Sequence, residues 1–141
     1  EYAKNSLVYG GAFPGISDVL NSLQHMNIPF GVVTNKPLIF AQPIIENEPA
    51  FKHCQTLICP DHLSAIKPDP EGILKGCKDL NIQPEECVYV GDHIKDLQAG
   101  LNAGAQVIAC YFGYSLEASD HESNILGASQ PSDLTALIQG L

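Results

Sequence analysis

A chain of 141 residues, 45% hydrophobic and 16% charged, is long enough to bury one core and has the composition of an ordinary globular domain. Its net charge of -9, with only seven Lys and Arg, leaves no basic patch to neutralise phosphates and excludes a nucleic-acid partner. No apolar run approaches the ~18 residues of a membrane span, and the start at Glu1-Tyr2-Ala3-Lys4 carries no signal-peptide pattern, so a cytoplasmic protein with no membrane partner is expected.

Residues 15–26 carry Ile16, Val19, Leu20 and Leu23 at helical spacing, with Pro14 in the turn before them. Phe30-Gly31-Val32-Val33 is a short apolar run after Pro29 and reads as a buried strand. Pro37 restarts a helix through about Glu46, with Phe40, Ile44 and Ile45 expected to face inward. Gln55–Cys59 is a second strand. The next helix has Pro70 in its first turn, Asp69 as N-cap, Ile73, Leu74, Cys77 and Leu80 as its apolar face, and Asn81 as its stop. Cys87–Val90 is a third strand, followed by a helix from about Ile94 to Ala103 with Leu97 and Leu101 inward and Gly104 as its end. Gln106–Cys110 is a fourth strand. After a polar loop at 115–124, with Glu117, Asp120, His121 and Glu122 as solvated surface, Ile125 and Leu126 start a short strand, and 132–139 form a terminal helix.

Short apolar strands alternating with helices predict an α/β fold, a Rossmann-like three-layer core with a mostly parallel sheet. Ligands bind such sheets beyond the carboxyl ends of the strands. Three segments there have chemical potential. Thr34-Asn35-Lys36-Pro37 offers a hydroxyl and backbone amides at a helix start, which can cradle a phosphate. Ile66-Lys67-Pro68-Asp69-Pro70 holds one lysine in a proline-stiffened loop, where an ammonium can stabilise charge on a phosphoryl group. Gly91-Asp92-His93-Ile94-Lys95-Asp96 puts two carboxylates four residues apart, on one helix face. Close like charges call for a cation, and hard oxygen ligands beside a phosphate point to Mg²⁺. Taken singly, each has a blander reading: an N-cap turn, a surface lysine, a helix start decorated with acids to suit its dipole. His93 is expected to be a loop residue and not a base. Five cysteines without a CxxC pair fit free thiols in a reducing compartment, and His53, Cys54, Cys59 and His62 lack the spacing of a zinc site.

The three segments in this order resemble the haloacid dehalogenase superfamily of phosphatases. The matching motifs are Val33-Thr34-Asn35, Lys67-Pro68-Asp69-Pro70, and Val90-Gly91-Asp92 with Asp96. The resemblance is greatest to the phosphoglycolate phosphatase-like group, close to phosphatases of N-acetylmuramic acid 6-phosphate. It extends to Gly31–Pro37, to Leu57-Ile58-Cys59-Pro60-Asp61-His62 and to Phe112-Gly113-Tyr114. Phe13-Pro14-Gly15 resembles the junction where the family's mobile cap rejoins the core. The resemblance implies that Thr34 and the Asn35 amide hold phosphoryl oxygens and that Lys67 neutralises the phosphoryl group. Asp92 would ligate Mg²⁺, and Asp96 would orient the metal's waters or Lys67. The substrate would be a small phosphorylated metabolite, phosphoglycolate first and N-acetylmuramic acid 6-phosphate second.

The family also implies an aspartate nucleophile in a DxDGT segment, attacking phosphorus to form an aspartyl-phosphate. No DxD occurs in this chain. Residues 1–12 are therefore expected to be the tail of the cap or a linker, 13–141 the core, and the family's first, central strand is expected to be missing. The chain alone is expected to be inactive and truncated. Two unpaired strand edges would invite self-association. A non-catalytic unit with a binding or assembly role is the competing reading. A phosphoryl-accepting receiver domain is disfavoured, because Thr34 and Cys59 stand where its acceptor aspartate would have to be.

Overall fold

The computed structural model describes residues 5–8, 16–110, 125–130 and 132–140. The turn at Pro14, the Phe13-Pro14-Gly15 and Phe112-Gly113-Tyr114 stretches, and the loop 115–124 lie outside them. The elements in chain order are β1 (Asn5–Val8), α1 (Ile16–His25), β2 (Phe30–Val33), α2 (Leu38–Asn47), β3 (Leu57–Ile58), α3 (Glu71–Asp79), β4 (Cys87–Gly91), α4 (Ile94–Ala103), β5 (Gln106–Cys110), β6 (Leu126–Ala128) and α5 (Ser132–Gln139). The six strands form one sheet in the order β3-β2-β1-β4-β5-β6, and every pairing is parallel.

Strand alternation splits the core into two layers. Phe30 and Val32 of β2, Val88 and Val90 of β4, and Ile108 of β5 pack with Val19, Leu20 and Leu23 of α1 and with Leu134 and Ile138 of α5. Val33, Cys87 and Tyr89 point the other way and pack with Ile73 and Cys77 of α3 and with Ala99 and Ala103 of α4. Helices therefore cover both faces, as the apolar strands require. α1, α3 and α4 end in the same way, with Asn27, Asn81 and Gly104 at positive φ. The next amides, of Ile28, Ile82 and Ala105, return to the carbonyls of Leu23, Cys77 and Gly100 at 2.9, 2.9 and 3.0 Å.

The sheet position expected to be vacant is filled. Asn5–Val8 lies between β2 and β4, with Ser6 level with Phe30 and Val8 level with Val90. The two open edges predicted from the missing motif are thus paired, because the amides and carbonyls of β2 and β4 find partners in a strand from the segment read as a cap tail. No carboxylate arrives with it, since none occurs from Tyr2 through Ser17. Other corrections are smaller. Phe40 and Ile44 of α2 are exposed, and the helix turns Ala41 to the core with Ile45 packed beside it, one residue out of the expected phase. Leu74 of α3 is likewise exposed. α3 begins after Pro70, so Asp69 caps from one position further back, its Oδ1 accepting the Glu71 amide at 2.9 Å.

Candidate active site at the carboxyl ends of the strands

Because all strands run in parallel, β2, β3, β4 and β5 end at one edge of the sheet, and the three chemical segments emerge there. β2 leads into Thr34, a polar residue that is nevertheless buried. The Thr34 amide donates to the Ile58 carbonyl at 3.0 Å, which extends the β2–β3 ladder by one rung. Its Oγ1 accepts the Lys36 amide at 3.0 Å and folds Asn35 into a tight turn before α2.

Lys67 comes from the loop after β3 and is only 4% exposed. A buried ammonium needs every donor satisfied. Its Nζ donates to Asp96 Oδ1 at 2.5 Å, to the Tyr89 hydroxyl at 3.0 Å and to the Val33 carbonyl at 3.2 Å. Burial pulls its pKa below the usual lysine value, and the charge of Asp96 opposes that pull. The loop is held from outside as well. Glu71 accepts the amides of Ser64 and Ala65, at 3.1 and 2.9 Å, and Asn102 Nδ2 donates to the Pro68 carbonyl at 3.3 Å.

Asp96 is 2% exposed and uses both oxygens. Oδ1 faces Lys67, while Oδ2 accepts the amides of Asp92 and His93 at 3.2 and 3.1 Å. This tie between the β4 end and the first turn of α4 leaves no room for a side chain at Gly91, where a Cβ would collide with the Asp96 carboxylate. His93 is the N-cap of α4, its Nδ1 accepting the Lys95 amide at 3.1 Å. Asp92 is half-buried just above this pair. Burial first, and the Asp96 charge second, push its carboxyl pKa up. An acid in that position gains from a cation. Asp92 therefore fits a hard divalent ion as a protein ligand, with Asp96 committed to Lys67 and the amides behind it. Among the described residues no group of three His, Cys, Asp or Glu side chains converges as a ready-made cage.

The structure thus brings Lys67, Asp96 and the Thr34 strand end into one hydrogen-bonded cluster with Asp92 at its rim. Tyr89 was missed by the sequence reading. It looks like one more apolar strand residue, but its hydroxyl lies 3.3 Å from the Val33 carbonyl and 3.5 Å from Asp96 Oδ1. The signal was available: a tyrosine in a fully buried strand needs a partner for its hydroxyl. Cys110, at the end of β5, has its thiol pKa pushed up to about 12 by burial and by the charges of Asp92 and Asp96, which disfavours the thiolate a nucleophile would need. His53, Cys54, Cys59 and His62 share no centre. Cys54 donates to the Thr56 carbonyl at 3.2 Å, and the His62 ring accepts the Cys59 amide at 3.0 Å.

The sequence profile of haloacid dehalogenase-like hydrolases matches residues 3–110. The chain is 37% identical over 123 residues to an N-acetylmuramic acid 6-phosphate phosphatase of Pseudomonas putida, covering 87% of this chain and 55% of that protein. It is 34% identical over 103 residues to a phosphoglycolate phosphatase of Escherichia coli, covering 73% of this chain and 41% of that one. The chain thus spans about half the length of the curated relatives it matches. Among solved structures, a hydrolase of the same superfamily from Ehrlichia chaffeensis superposes with a TM-score of 0.76 at 26% identity, covering 90% of this chain and 57% of the other.

Proposed function

The chain belongs to the haloacid dehalogenase-like hydrolases, and from that premise we propose that it forms most of the core of a Mg²⁺-dependent phosphate monoester hydrolase. The observation that carries this reading is the buried Lys67–Asp96 pair set directly behind Asp92 and beside Thr34. A buried ion pair is poor value for stability alone, but it holds an ammonium rigidly where charge develops. Thr34 and the amide of Asn35 would hold phosphoryl oxygens. Lys67 would neutralise the transferred group and is kept from swinging away by its bonds to Asp96, Tyr89 and Val33. Asp92 would hold Mg²⁺, which when bound withdraws charge from the phosphoryl oxygens. The covalent nucleophile expected of the family has no counterpart here, so this chain is proposed to bind the phosphoryl group and metal without completing turnover.

The substrate proposed is a small phosphorylated metabolite. Phosphoglycolate is one candidate. N-acetylmuramic acid 6-phosphate is supported by the longer and more identical match to the Pseudomonas putida relative. The competing reading, a catalytically incomplete unit with a binding role, is favoured by one observation: β1 occupies the centre of the sheet with no carboxylate following it before Asp18. Hydrolysis of an aryl phosphate, with and without Mg²⁺, by this chain and by the longest chain its gene encodes decides between them. Mg²⁺-dependent release by the longer chain, lost in Asp92→Asn, supports the phosphatase. No release by either chain, with Mg²⁺ binding intact, supports the binding unit.

A further inference from the structure

The loop that carries Thr34 must end at a fixed place if it is to hold a phosphoryl group, and α2 is poorly equipped to fix it. Its N-cap is Pro37, which offers no side-chain acceptor to the first amides of the helix. Packing holds the helix weakly too. Ala41 is its one buried residue, and an apolar crevice lined by Val32, Ala41, Ile45 and Leu57 runs beneath it toward Thr34. The first amide is claimed from elsewhere. Leu38 N donates to Asp61 Oδ1 at 2.8 Å, across 23 residues of sequence.

Asp61 sits in the 3₁₀ turn Pro60–His62 that follows β3, and that turn is pinned at both ends. The His62 amide donates to the Cys59 carbonyl at 2.9 Å, while the Cys59 amide donates back to the His62 ring at 3.0 Å. Cys59 itself is fully buried. The hydrogen bond from Leu38 holds the Asp61 carboxyl below the usual carboxylate range, so it is an anion at neutral pH and suits a helix N-terminus. Two bonds thus bracket Asn35, Lys36 and Pro37: Lys36 N to Thr34 Oγ1 on one side, and Leu38 N to Asp61 on the other. The same turn leads straight into the Leu63–Ile66 stretch that delivers Lys67.

We propose that Asp61 is a positioning residue of the phosphate site. It caps α2 from the neighbouring strand's loop, and so fixes the Thr34 loop in register with the Lys67 loop. This inference rests on the phosphatase reading, because it concerns how that site is held together. It also gives a role to the Pro60–His62 turn that follows β3.

The test uses the longest chain the gene encodes, with an aryl phosphate and Mg²⁺. Asp61→Ala should raise KM about fivefold to tenfold, the worth of one lost helix cap, with kcat changed far less. Asp61→Asn, whose amide oxygen can still accept from Leu38, should restore KM to within about threefold of the parent. Hydrogen exchange of the Leu38 amide gives a readout that needs no activity: slow in the parent and in Asp61→Asn, fast in Asp61→Ala. An unchanged KM in Asp61→Ala, or a Leu38 amide exchanging equally fast in all three chains, overturns the inference while leaving the phosphatase reading intact. A parent chain without Mg²⁺-dependent hydrolysis overturns both. Should Asp61→Ala fail to fold, a KM in Asp61→Asn close to the parent's, together with a slow Leu38 amide, supports the proposal, and a KM raised about tenfold in Asp61→Asn overturns it.

Discussion

Asp92 is strained by its surroundings in a way that can be measured. Its carboxyl pKa is raised by burial and by Asp96. The folded chain therefore binds that proton more tightly than the unfolded chain does. The resulting stabilisation is present below the ordinary aspartate pKa and is lost as pH rises through the raised value. At neutral pH the ionised group costs stability unless a cation joins it. Asp92→Asn should accordingly stabilise the metal-free protein, by about 0.5 kcal/mol once solvent screening at this half-buried site is allowed for, or about 1–3 °C in Tm. Mg²⁺ should raise the Tm of the parent, and the same change should abolish that rise. Differential scanning calorimetry at neutral pH with and without Mg²⁺ reads both effects, and a lower Tm for metal-free Asp92→Asn would contradict this account of the site. Lys67 carries the opposite expectation. Lys67→Met leaves Asp96 charged and buried without its partner, at a cost of about 3–5 kcal/mol. Adding Asp96→Asn keeps an acceptor for the amides of Asp92 and His93 but removes the stranded charge. The double variant should regain at least about 1 kcal/mol over Lys67→Met in urea unfolding.

Among the elements, helix phase is where sequence and structure part. Five strands and every helix lie within a few residues of where apolar runs and caps place them, and Gly104 and Asn81 end their helices as their conformational freedom predicts. α4 shows why the reading works: Leu97 is the central apolar residue of a helix pressed against a sheet, and it is buried. α2 shows why it fails. Ile39, Phe40, Pro43, Ile44 and Ile45 make nearly every face apolar, so periodicity has nothing to choose with, and the Asp61 cap and the sheet set the rotation. The site divides the same way. Thr34, Lys67, Asp92 and Asp96 could be picked out because each follows a strand. Tyr89 and Asp61 act through contacts 22 or 23 residues away along the chain, which no local pattern reports. The observed phase makes a contrast between two helices. Phe40→Ser should change stability by no more than about 0.5 kcal/mol, whereas Ile73→Ala, at the fully buried face of α3, should cost about 2–5 kcal/mol in chemical denaturation. A loss of more than about 2 kcal/mol at Phe40 would mean that α2 packs on its other side.

At the scale of the whole molecule, the sheet depends on its shortest-range oddity. β1 is four residues long, yet it pairs on both sides, with β2 and with β4, and joins what would otherwise be two separate halves. On one side lie β2 and β3, and on the other β4, β5 and β6. The site straddles that seam. Thr34 and Val33 belong to the first half, while Tyr89, Asp92 and Asp96 belong to the second. Lys67 spans them by donating to Val33 on one side and to Tyr89 and Asp96 on the other. Self-association was expected through the inner edges of β2 and β4, and β1 covers both. It should appear when that cover is removed. A chain lacking residues 1–8 exposes the full length of β4, a strand buried along all five residues, and with it a row of unpaired amides and carbonyls on an apolar ribbon. Size-exclusion chromatography with light scattering should find the 141-residue chain at one copy's mass and the shortened chain in larger species or in the insoluble fraction. Mg²⁺ binding should fall in the shortened chain too, because the Lys67 bridge and Asp92 are held in register only while the halves stay joined. A shortened chain that remains monomeric and keeps its Mg²⁺ affinity would show that α1, α5 and the Lys67 bridge hold the halves together without the central strand.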